Sequence, residues 1–258
     1  PRILFGKGQI DELPAALAEY GSRALLVTGR KSLRNTPYWE RIVAYLRQLG
    51  VEWREFTVED EPSPEMIDRA VQRFRSDGIE VVAGIGGGSV VDAAKAIAGL
   101  LPRGNSVMDY LEDVGKGMPY EGPRLPFIAV PTTAGTGSEA TKNAVLSVRG
   151  DQGYKKSFRH ELLVAEMAIV DPQLLESCPP ELIAAQGMDA FTQLMESYVS
   201  VRANPFTDGL ASSGLEAFRD GFFDAWEGGP GDAADKGRAA MSYAALLSGI
   251  TLAQVGLG

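Results

Sequence analysis

Residues 80–101 constrain the fold of this chain most, because a strand pattern changes to a helix pattern there across three consecutive glycines. Residues 81–85 form a short apolar run rich in β-branched residues, which is typical of a buried strand. From Val90 onwards, apolar residues recur at spacings of three and four, which predicts a helix. The glycines between them leave backbone N–H groups uncovered where the helix begins. Such a place favours a phosphate or pyrophosphate.

An ordinary tight turn is the alternative interpretation of this stretch, although one glycine would be enough for such a turn. The stretch is also not a full dinucleotide fingerprint. Gly84 and Gly86 form a G-x-G pair, but the third position of the fingerprint falls on Ser89. By itself the motif therefore predicts an anion at a helix start and does not identify a cofactor.

Charge and composition argue against several classes of partner. The chain has 258 residues, enough to bury a large core in one domain or two, and a formal net charge of −9. This acidic balance argues against nucleic acid or an anionic membrane as a partner. No apolar run is long enough to span a membrane, and the first residues lack a signal-peptide pattern. Since Cys178 is the single cysteine, a reducing, cytoplasmic location is expected.

Strand and helix patterns alternate along the first hundred residues, which predicts an open, mostly parallel α/β sheet. Ligands of such sheets bind at the carboxyl ends of the strands. Residues 29–34 and 86–89 are loops that follow such ends. A third loop, residues 131–138, brings the hydroxyls of Thr132, Thr133 and Thr136. We interpret this third loop as a second wall of a cofactor site, with a plain surface loop as the alternative.

The character of the sequence changes near residue 173. Before it, residues 144–148 and 153–158 predict a strand hairpin, and residues 167–170 predict a further strand. After it, helical periodicity continues to the end. We therefore predict an α/β domain at residues 1–173 and an all-α domain at residues 174–258.

Five motifs follow one another along the chain: FGKG near the start, GGGSVVDAAKAIA, PTTAGTGSEAT, IVDPQL, and GMDAFTQLMESYVS from Gly187. With these motifs the chain resembles the iron-containing (group III) alcohol dehydrogenases over nearly its whole length. The resemblance implies an N-terminal dinucleotide-binding domain, a C-terminal helical domain and a cleft between them, an architecture that dehydroquinate synthase shares.

The resemblance also implies NAD or NADP as the cofactor, with its pyrophosphate on the glycine loop and its nicotinamide beside the threonine loop. The residues expected to bind the cofactor are Gly29, Gly86, Gly87, Gly88, Ser89, Asp92, Thr132, Thr133, Thr136, Lys155 and Leu163.

The family holds a divalent metal, iron or zinc, with one aspartate and three histidines, the first two of them in a D-x-x-x-H pair. In this chain the pair is Asp189 and Gln193, which a spacing of four places on one helical face. These two are the candidate metal ligands, with a simple hydrogen-bonded pair as the alternative. The single histidine, His160, lies in polar surroundings that predict a solvated loop or strand end.

The sequence resembles the front two thirds of a family member. We therefore expect an incomplete helical domain, whose remainder is absent or supplied by another chain.

The favoured function is hydride transfer between NAD(P) and a small alcohol or aldehyde, by a homo-oligomer, a dimer, without nucleic acid or membrane partners. Two alternatives stay open. One is a non-catalytic dinucleotide-binding remnant or subunit with an incomplete metal site. The other, ranked lower, is a dehydroquinate-synthase-like lyase, which needs basic residues that the helical part largely lacks.

The loop after the first long strand predicts which dinucleotide is preferred. Gly29 stands where the family often carries an aspartate that repels a 2′-phosphate. Arg30, Lys31 and Arg34 follow, with Ser32 among them. Because guanidinium groups bind phosphate bidentately, we predict that NADP(H) is accepted and preferred, with a solvated basic loop as the alternative.

Overall fold

The structure is a computed structural model that describes residues 1–31 and 33–256. Ser32, which belongs to the predicted basic loop, lies outside the described residues, as do Leu257 and Gly258.

Eight strands are formed by the described residues: β1 (Arg2–Phe5), β2 (Arg23–Gly29), β3 (Glu52–Val58), β4 (Val81–Gly86), β5 (Phe127–Pro131), β6 (Asn143–Val148), β7 (Tyr154–Arg159) and β8 (Met167–Val170). Six of them make one parallel sheet in the order β1-β8-β5-β4-β2-β3. Strands β6 and β7 form a separate antiparallel hairpin. The predicted open parallel sheet is confirmed.

Seven α-helices occur in the same part of the chain: α1 (Leu13–Ala18), α2 (Pro37–Gln48), α3 (Pro64–Phe74), α4 (Gly88–Leu100), α5 (Pro180–Val199), α6 (Pro205–Glu227) and α7 (Asp232–Val255). At α3, a capping side chain and a proline explain where the helix begins. At α3, the hydroxyl of Ser63 accepts a hydrogen bond from the Met66 N–H at 3.2 Å. Pro64 then occupies the first helical position, where its missing N–H is not needed.

Helix boundaries differ from the sequence expectation in one region. Residues 9–20 predict a single helix, whereas the structure has a short 3₁₀ turn, Gln9–Glu12, followed by α1. Pro14 lies in the first turn of α1, a position that proline favours, so the α-helix begins there and not at Gln9.

Helices cover both faces of the sheet. Alternate residues of each strand point to opposite faces, and apolar residues on both faces need to be buried. In β2, Leu25 and Val27 belong to the apolar core under α3 and α4, whereas Ala24 and Leu26 belong to the core under α1 and α2. The β6–β7 hairpin covers the outer side of α4. Helix α4 is therefore enclosed on two sides, which explains its nearly continuous apolar sequence.

Helices α5, α6 and α7 pack against one another and form the helical part of the chain. Strand β8 ends at Val170 and α5 begins at Pro180. The division at residue 173 stays a prediction. None of the helices in residues 1–31 and 33–256 is both long and apolar enough to cross a membrane.

The helical part meets the α/β part at a close backbone approach. Gly249 in α7 lies against Gly137, in the segment after β5, and a Cβ atom added at Gly249 would be 2.1 Å from the carbonyl oxygen of Gly137. Neither backbone can move away without shifting a whole element. A side chain at residue 249 is therefore expected to separate the two parts.

We predict that Gly249→Ala lowers the free energy of unfolding by about 1–3 kcal/mol, because the new methyl group overpacks this contact. Gly209→Ala in α6 is the matched control, since beyond the nearby backbone of its own helix no described atom lies within 4 Å of a Cβ atom there. The control should gain up to about 1 kcal/mol from helix propensity. Urea denaturation of both variants measures the difference, and a stabilised Gly249→Ala would contradict the contact.

Candidate functional site

A cavity of about 250 Å³ opens where chain segments leave the carboxyl ends of the strands. Its lining comes from the start of α4, the segments that follow β3 and β5, the β6–β7 hairpin, and helices α5 and α7. The lining residues are Glu61, Pro62, Gly88, Ser89, Asp92, Thr136, Ser138, Thr141, Asn143, Val145, Ser147, Lys155, Asp189, Gln193 and Leu252. The cavity thus lies between the α/β part and the helical part.

The start of α4 is the feature of this cavity best suited to an anion. Gly87 occupies the N-cap position in an extended conformation, and no described side chain caps the helix there. The first N–H groups of a helix have no partner within the helix, and the helix dipole adds partial positive charge to them. Gly88 and Ser89 both line the cavity. The helix start that the glycine run predicts as an anion site therefore opens into a cavity.

Close packing accounts for two of the three consecutive glycines. A Cβ atom added at Gly86 would lie 2.6 Å from the Cβ of Val90, and one added at Gly88 would lie 2.7 Å from the Cγ2 of Thr136. At Gly87 the nearest atom, Cγ2 of Thr133, is 3.4 Å away, which is ordinary contact. The sequence predicted uncovered backbone at these positions. The structure adds that a side chain at residue 88 would collide with Thr136 of the neighbouring threonine loop.

The three predicted threonines differ in their positions. Thr136 lines the cavity and Thr133 is half-buried beside Gly87. Thr132 is buried, and its N–H donates to the carbonyl of Gly86 at 2.9 Å. This bond ties the threonine loop to the glycine loop, so the two loops leave the sheet side by side. Of the three hydroxyl-bearing residues, Thr136 is placed to meet a ligand.

Three other predicted cofactor residues are spread more widely. Lys155 is exposed at the cavity wall, with its Nζ 3.7 Å from a carboxylate oxygen of Glu61. Gly29 is the last residue of β2. Leu163 is 2% exposed and packs behind α4, where a Cβ atom added at Gly99 would be 2.7 Å from its Cδ2. In this structure Leu163 belongs to the core, and its contact with a cofactor stays a prediction.

Asp92 and Lys95, one turn apart in α4, form a buried polar group beside the cavity. The side chain of Lys95 is 1% exposed, and its Nζ donates to the carbonyls of Ser138 and Asn143, both at 2.8 Å. It also donates to Oγ1 of Thr141 at 3.0 Å. The three donors of the ammonium group thus have three good acceptors.

The Asp92 carboxylate is engaged in the same way. It accepts hydrogen bonds from the hydroxyl of Ser138 and from the N–H of Val145, the latter at 3.1 Å. A Lys95 Nζ to Asp92 Oδ1 distance of 3.8 Å completes the group. Asp92, predicted to bind cofactor, therefore has both carboxylate oxygens bonded to protein donors.

Burial shifts the pKa values of this group. It lowers the pKa of Lys95 to about 8, a shift that the carboxylates of Asp92 and Glu139 oppose. It raises the pKa of Asp92, although Lys95 and the two hydrogen bonds act in the other direction. Burial also raises the pKa of Glu139 to about 7. All three shifts have the sign expected when charge is removed from water.

The predicted metal ligands Asp189 and Gln193 both line the cavity, one turn apart on α5. The Oε1 of Gln193 is already a hydrogen-bond acceptor, for the hydroxyl of Ser248 at 3.1 Å. Within the described residues there is no group of three or more His, Cys, Asp or Glu side chains that could hold a metal ion. Two oxygen donors fall short of the three protein ligands usual in a catalytic zinc site. The described residues therefore do not fit the family's metal.

His160 has a structural role away from these ligands. Its Nδ1 accepts a hydrogen bond from the N–H of Leu162 at 3.1 Å, at the start of the short 3₁₀ helix Glu161–Leu163. Its ring packs edge-on against Tyr120, with the centroids 5.2 Å apart. The sequence expectation of a residue at a strand end agrees with this position just after β7.

Sequence reasoning missed much of the cavity wall. Ser138, Thr141, Asn143 and Val145 line it, and Lys95 holds it from behind. One signal was available, because a lysine inside the otherwise apolar run AAKAIAGLL of an enclosed helix needs buried acceptors. The identity of those acceptors depends on tertiary contacts.

Two family models match the chain. The model described as iron-containing alcohol dehydrogenase matches residues 1–172. The model described as the C-terminal part of the Fe-containing alcohol dehydrogenase family matches residues 183–258.

Individual relatives agree with these matches. Long-chain-alcohol dehydrogenase 1 of Geobacillus thermodenitrificans is 40% identical over 211 residues, which is 81% of this chain and 52% of that protein. The NADPH-dependent butanol dehydrogenase of Clostridium saccharobutylicum is 32% identical over 266 residues, covering 99% of this chain and 64% of that one.

A solved structure shows the same fold. The sulfoacetaldehyde reductase of Bifidobacterium kashiwanohense, in complex with NAD+, superposes with a TM-score of 0.89 at 28% identity, covering 99% of this chain and 66% of that one. The chain therefore spans about half to two thirds of the length of these relatives.

We predict that Gly88→Ala lowers the free energy of unfolding by about 1–3 kcal/mol, because the new methyl group collides with Thr136. Adding Thr136→Ala removes the colliding Cγ2 and Oγ1 atoms. The double variant should therefore recover at least half of that loss. Denaturant titration of the two single variants and the double variant measures this coupling. Purely additive losses would show that the two loops do not press on each other at this point.

Proposed function

Because the chain belongs to the iron-containing alcohol dehydrogenase family, we propose that it binds NAD(P)(H) in the cavity and serves hydride transfer between the cofactor and a small alcohol or aldehyde. The observation that carries this proposal is the start of α4, which opens into the cavity without a described side-chain cap. Such a helix start binds the pyrophosphate of a dinucleotide through backbone N–H groups.

The roles of the residues follow from their positions. The N–H groups of Gly88 and Ser89 would hold the pyrophosphate, and the Thr136 hydroxyl would orient the groups next to it. Bound nicotinamide supplies or accepts the hydride. The wall formed by Thr141 and Asn143 would keep water from that end of the cavity. These side chains bind, orient and shield, and none is required as a nucleophile.

Asp189 and Gln193 face the same cavity from the helical part and are proposed to hydrogen-bond the substrate oxygen. The carboxylate of Asp189 accepts a hydrogen bond from a hydroxyl, and the amide of Gln193 both donates and accepts. Their assignment as metal ligands stays a prediction, and no step of the proposal runs through a metal. A cytoplasmic, dimeric enzyme without nucleic acid or membrane partners likewise stays a prediction.

A second function is favoured by this incomplete ligand set. If the chain holds no metal, it could serve as a dinucleotide-binding subunit without turnover of its own. Deuterium transfer from a 1-deuterated primary alcohol to the oxidised cofactor separates the two functions. Transfer supports the dehydrogenase, and its absence together with intact dinucleotide binding supports the subunit.

We predict that the chain binds a reduced dinucleotide and transfers deuterium from a 1-deuterated primary alcohol to the oxidised cofactor. Fluorescence titration measures binding, and mass spectrometry of the recovered cofactor measures transfer. The double variant Gly88→Ala/Thr136→Ala should regain at least half of the stability that Gly88→Ala loses, yet bind at least about tenfold more weakly than the parent. A methyl group then stands where the pyrophosphate approaches, and the orienting Thr136 hydroxyl is gone. Failure of the parent to bind either dinucleotide would overturn the proposed function.

The basic loop after β2 carries the proposed preference for NADP(H), although two of its cations already have partners. A guanidinium nitrogen of Arg30 lies 3.0 Å from a carboxylate oxygen of Glu59. Arg34 is paired with Glu55 and lies 4.6 Å from the ring centroid of Trp39. Because the Arg30–Glu59 pair is exposed, it contributes little, and a 2′-phosphate would compete with Glu59 for Arg30.

We predict that NADPH binds more tightly than NADH, and that Glu59→Gln raises this ratio by about threefold or more, because the competing charge is removed. Gly29→Asp should lower the ratio. Glu52→Gln is the matched control, since Glu52 lies at the opposite end of β3. The dissociation constants of NADPH and NADH are measured for the parent and for each of the three variants. A parent that prefers NADH, or a ratio unchanged by both test variants, would show that this loop does not read the 2′-position.

A further inference from the structure

We propose that Asp92 and Lys95 are positioning residues, which fix residues 138–145 as the wall of the cavity against the start of α4. The inference rests on the proposed function, because the wall matters for a dinucleotide only if one binds there. Neither side chain needs to touch the ligand for this role. Each acts through the segment that it holds.

The hydrogen bonds of Lys95 join separate points of the wall. Its Nζ bonds the carbonyl of Ser138 at 2.8 Å, Oγ1 of Thr141 at 3.0 Å and the carbonyl of Asn143 at 2.8 Å. Ser138, Thr141 and Asn143 all line the cavity. One buried ammonium group thus holds three residues of the wall in their positions relative to one another.

Asp92 extends this support toward the hairpin. Its carboxylate holds the Ser138 hydroxyl and the N–H of Val145, the third residue of β6. Asp92 lies in the same turn of α4 as Gly88 and Ser89, so its bonds join the wall directly to the start of this helix. The two walls of the cavity are therefore joined through α4.

The chemistry of burial argues that this group has a role beyond stability. Removing an ammonium and a carboxylate from water is costly, and well-packed apolar residues would often be as stable or more stable. A leucine or methionine at residue 95 would suit the enclosed side of α4. An apolar residue there would remove the two shortest bonds to the carbonyls of Ser138 and Asn143, both 2.8 Å. Only longer contacts from Thr141 would remain, at 3.3 and 3.4 Å to Ser138 and at 3.5 Å to Asn143.

The test compares Lys95→Met with Leu46→Ala, a core variant in α2 on the opposite face of the sheet. Hydrogen–deuterium exchange, read by mass spectrometry, reports the protection of the amides of residues 138–145. Fluorescence titration with NADPH and NADH reports binding. In Lys95→Met the wall amides should exchange at least about tenfold faster than in Leu46→Ala. Dinucleotide binding should weaken by about tenfold or more, because the wall is displaced.

A conservative pair keeps the inference testable if Lys95→Met does not fold. Thr141→Val removes the hydroxyl that accepts from Lys95 and donates to the Ser138 carbonyl, whereas Thr141→Ser keeps it. We expect Thr141→Val to weaken dinucleotide binding by about threefold or more, and Thr141→Ser to stay within about twofold of the parent. Equal binding by these two variants would overturn the inference.

The remaining outcomes separate this inference from the proposed function. The positioning role would be overturned if two quantities fell equally in Leu46→Ala and Lys95→Met: the exchange protection of the amides of residues 138–145 and the affinity for dinucleotide. General destabilisation would then explain both losses. A parent that binds no dinucleotide would overturn the proposed function. In that case faster exchange confined to residues 138–145 in Lys95→Met would still show that Lys95 holds the wall in place.

Discussion

The segment that follows β5 can lie where it does only because glycines permit close contacts with three helices. A Cβ atom at Gly88 of α4 would collide with Thr136, one at Gly135 would be 2.3 Å from Oε1 of Gln186 in α5, and one at Gly249 of α7 would collide with Gly137. Helices from both parts of the chain therefore converge on one short segment. The cavity, the helix start proposed to bind an anion and the position of α5 all depend on that convergence.

The polar groups around the cavity divide into those that hold the protein and those that remain for a ligand. Asp92 and Lys95 are bonded to the wall, and the Gln193 oxygen accepts from Ser248. The first N–H groups of α4, the Thr136 hydroxyl and the carboxylate of Asp189 are among those that remain. This arrangement suits an anionic cofactor at one end and a hydroxyl-bearing substrate at the other. The family's metal would require further ligands from outside the described residues.

Local sequence patterns predicted the architecture well, because most strands and helices agree with their own periodicity; residues 9–20, which divide into a 3₁₀ turn and α1, are an exception. The glycine loop was predictable for the same reason, since its chemistry is local to β4 and α4. What could not be predicted depends on long-range contacts. The burial of Leu163 behind Gly99, the acceptors of Lys95 and the pairing of Arg30 with Glu59 each join residues that are distant in sequence. A pattern of residues gives the type of side chain but not its partner.

The proposed position of the dinucleotide is across the start of α4 and against the wall formed by residues 138–145. A crystal structure of the chain with NADPH tests this position most directly. We expect pyrophosphate oxygens within about 3 Å of the backbone nitrogens of Gly88 or Ser89, a hydrogen-bonding distance. We also expect the bonds from Lys95 to the wall to be retained. A dinucleotide bound elsewhere, with the glycine loop free of ligand, would contradict the proposed site.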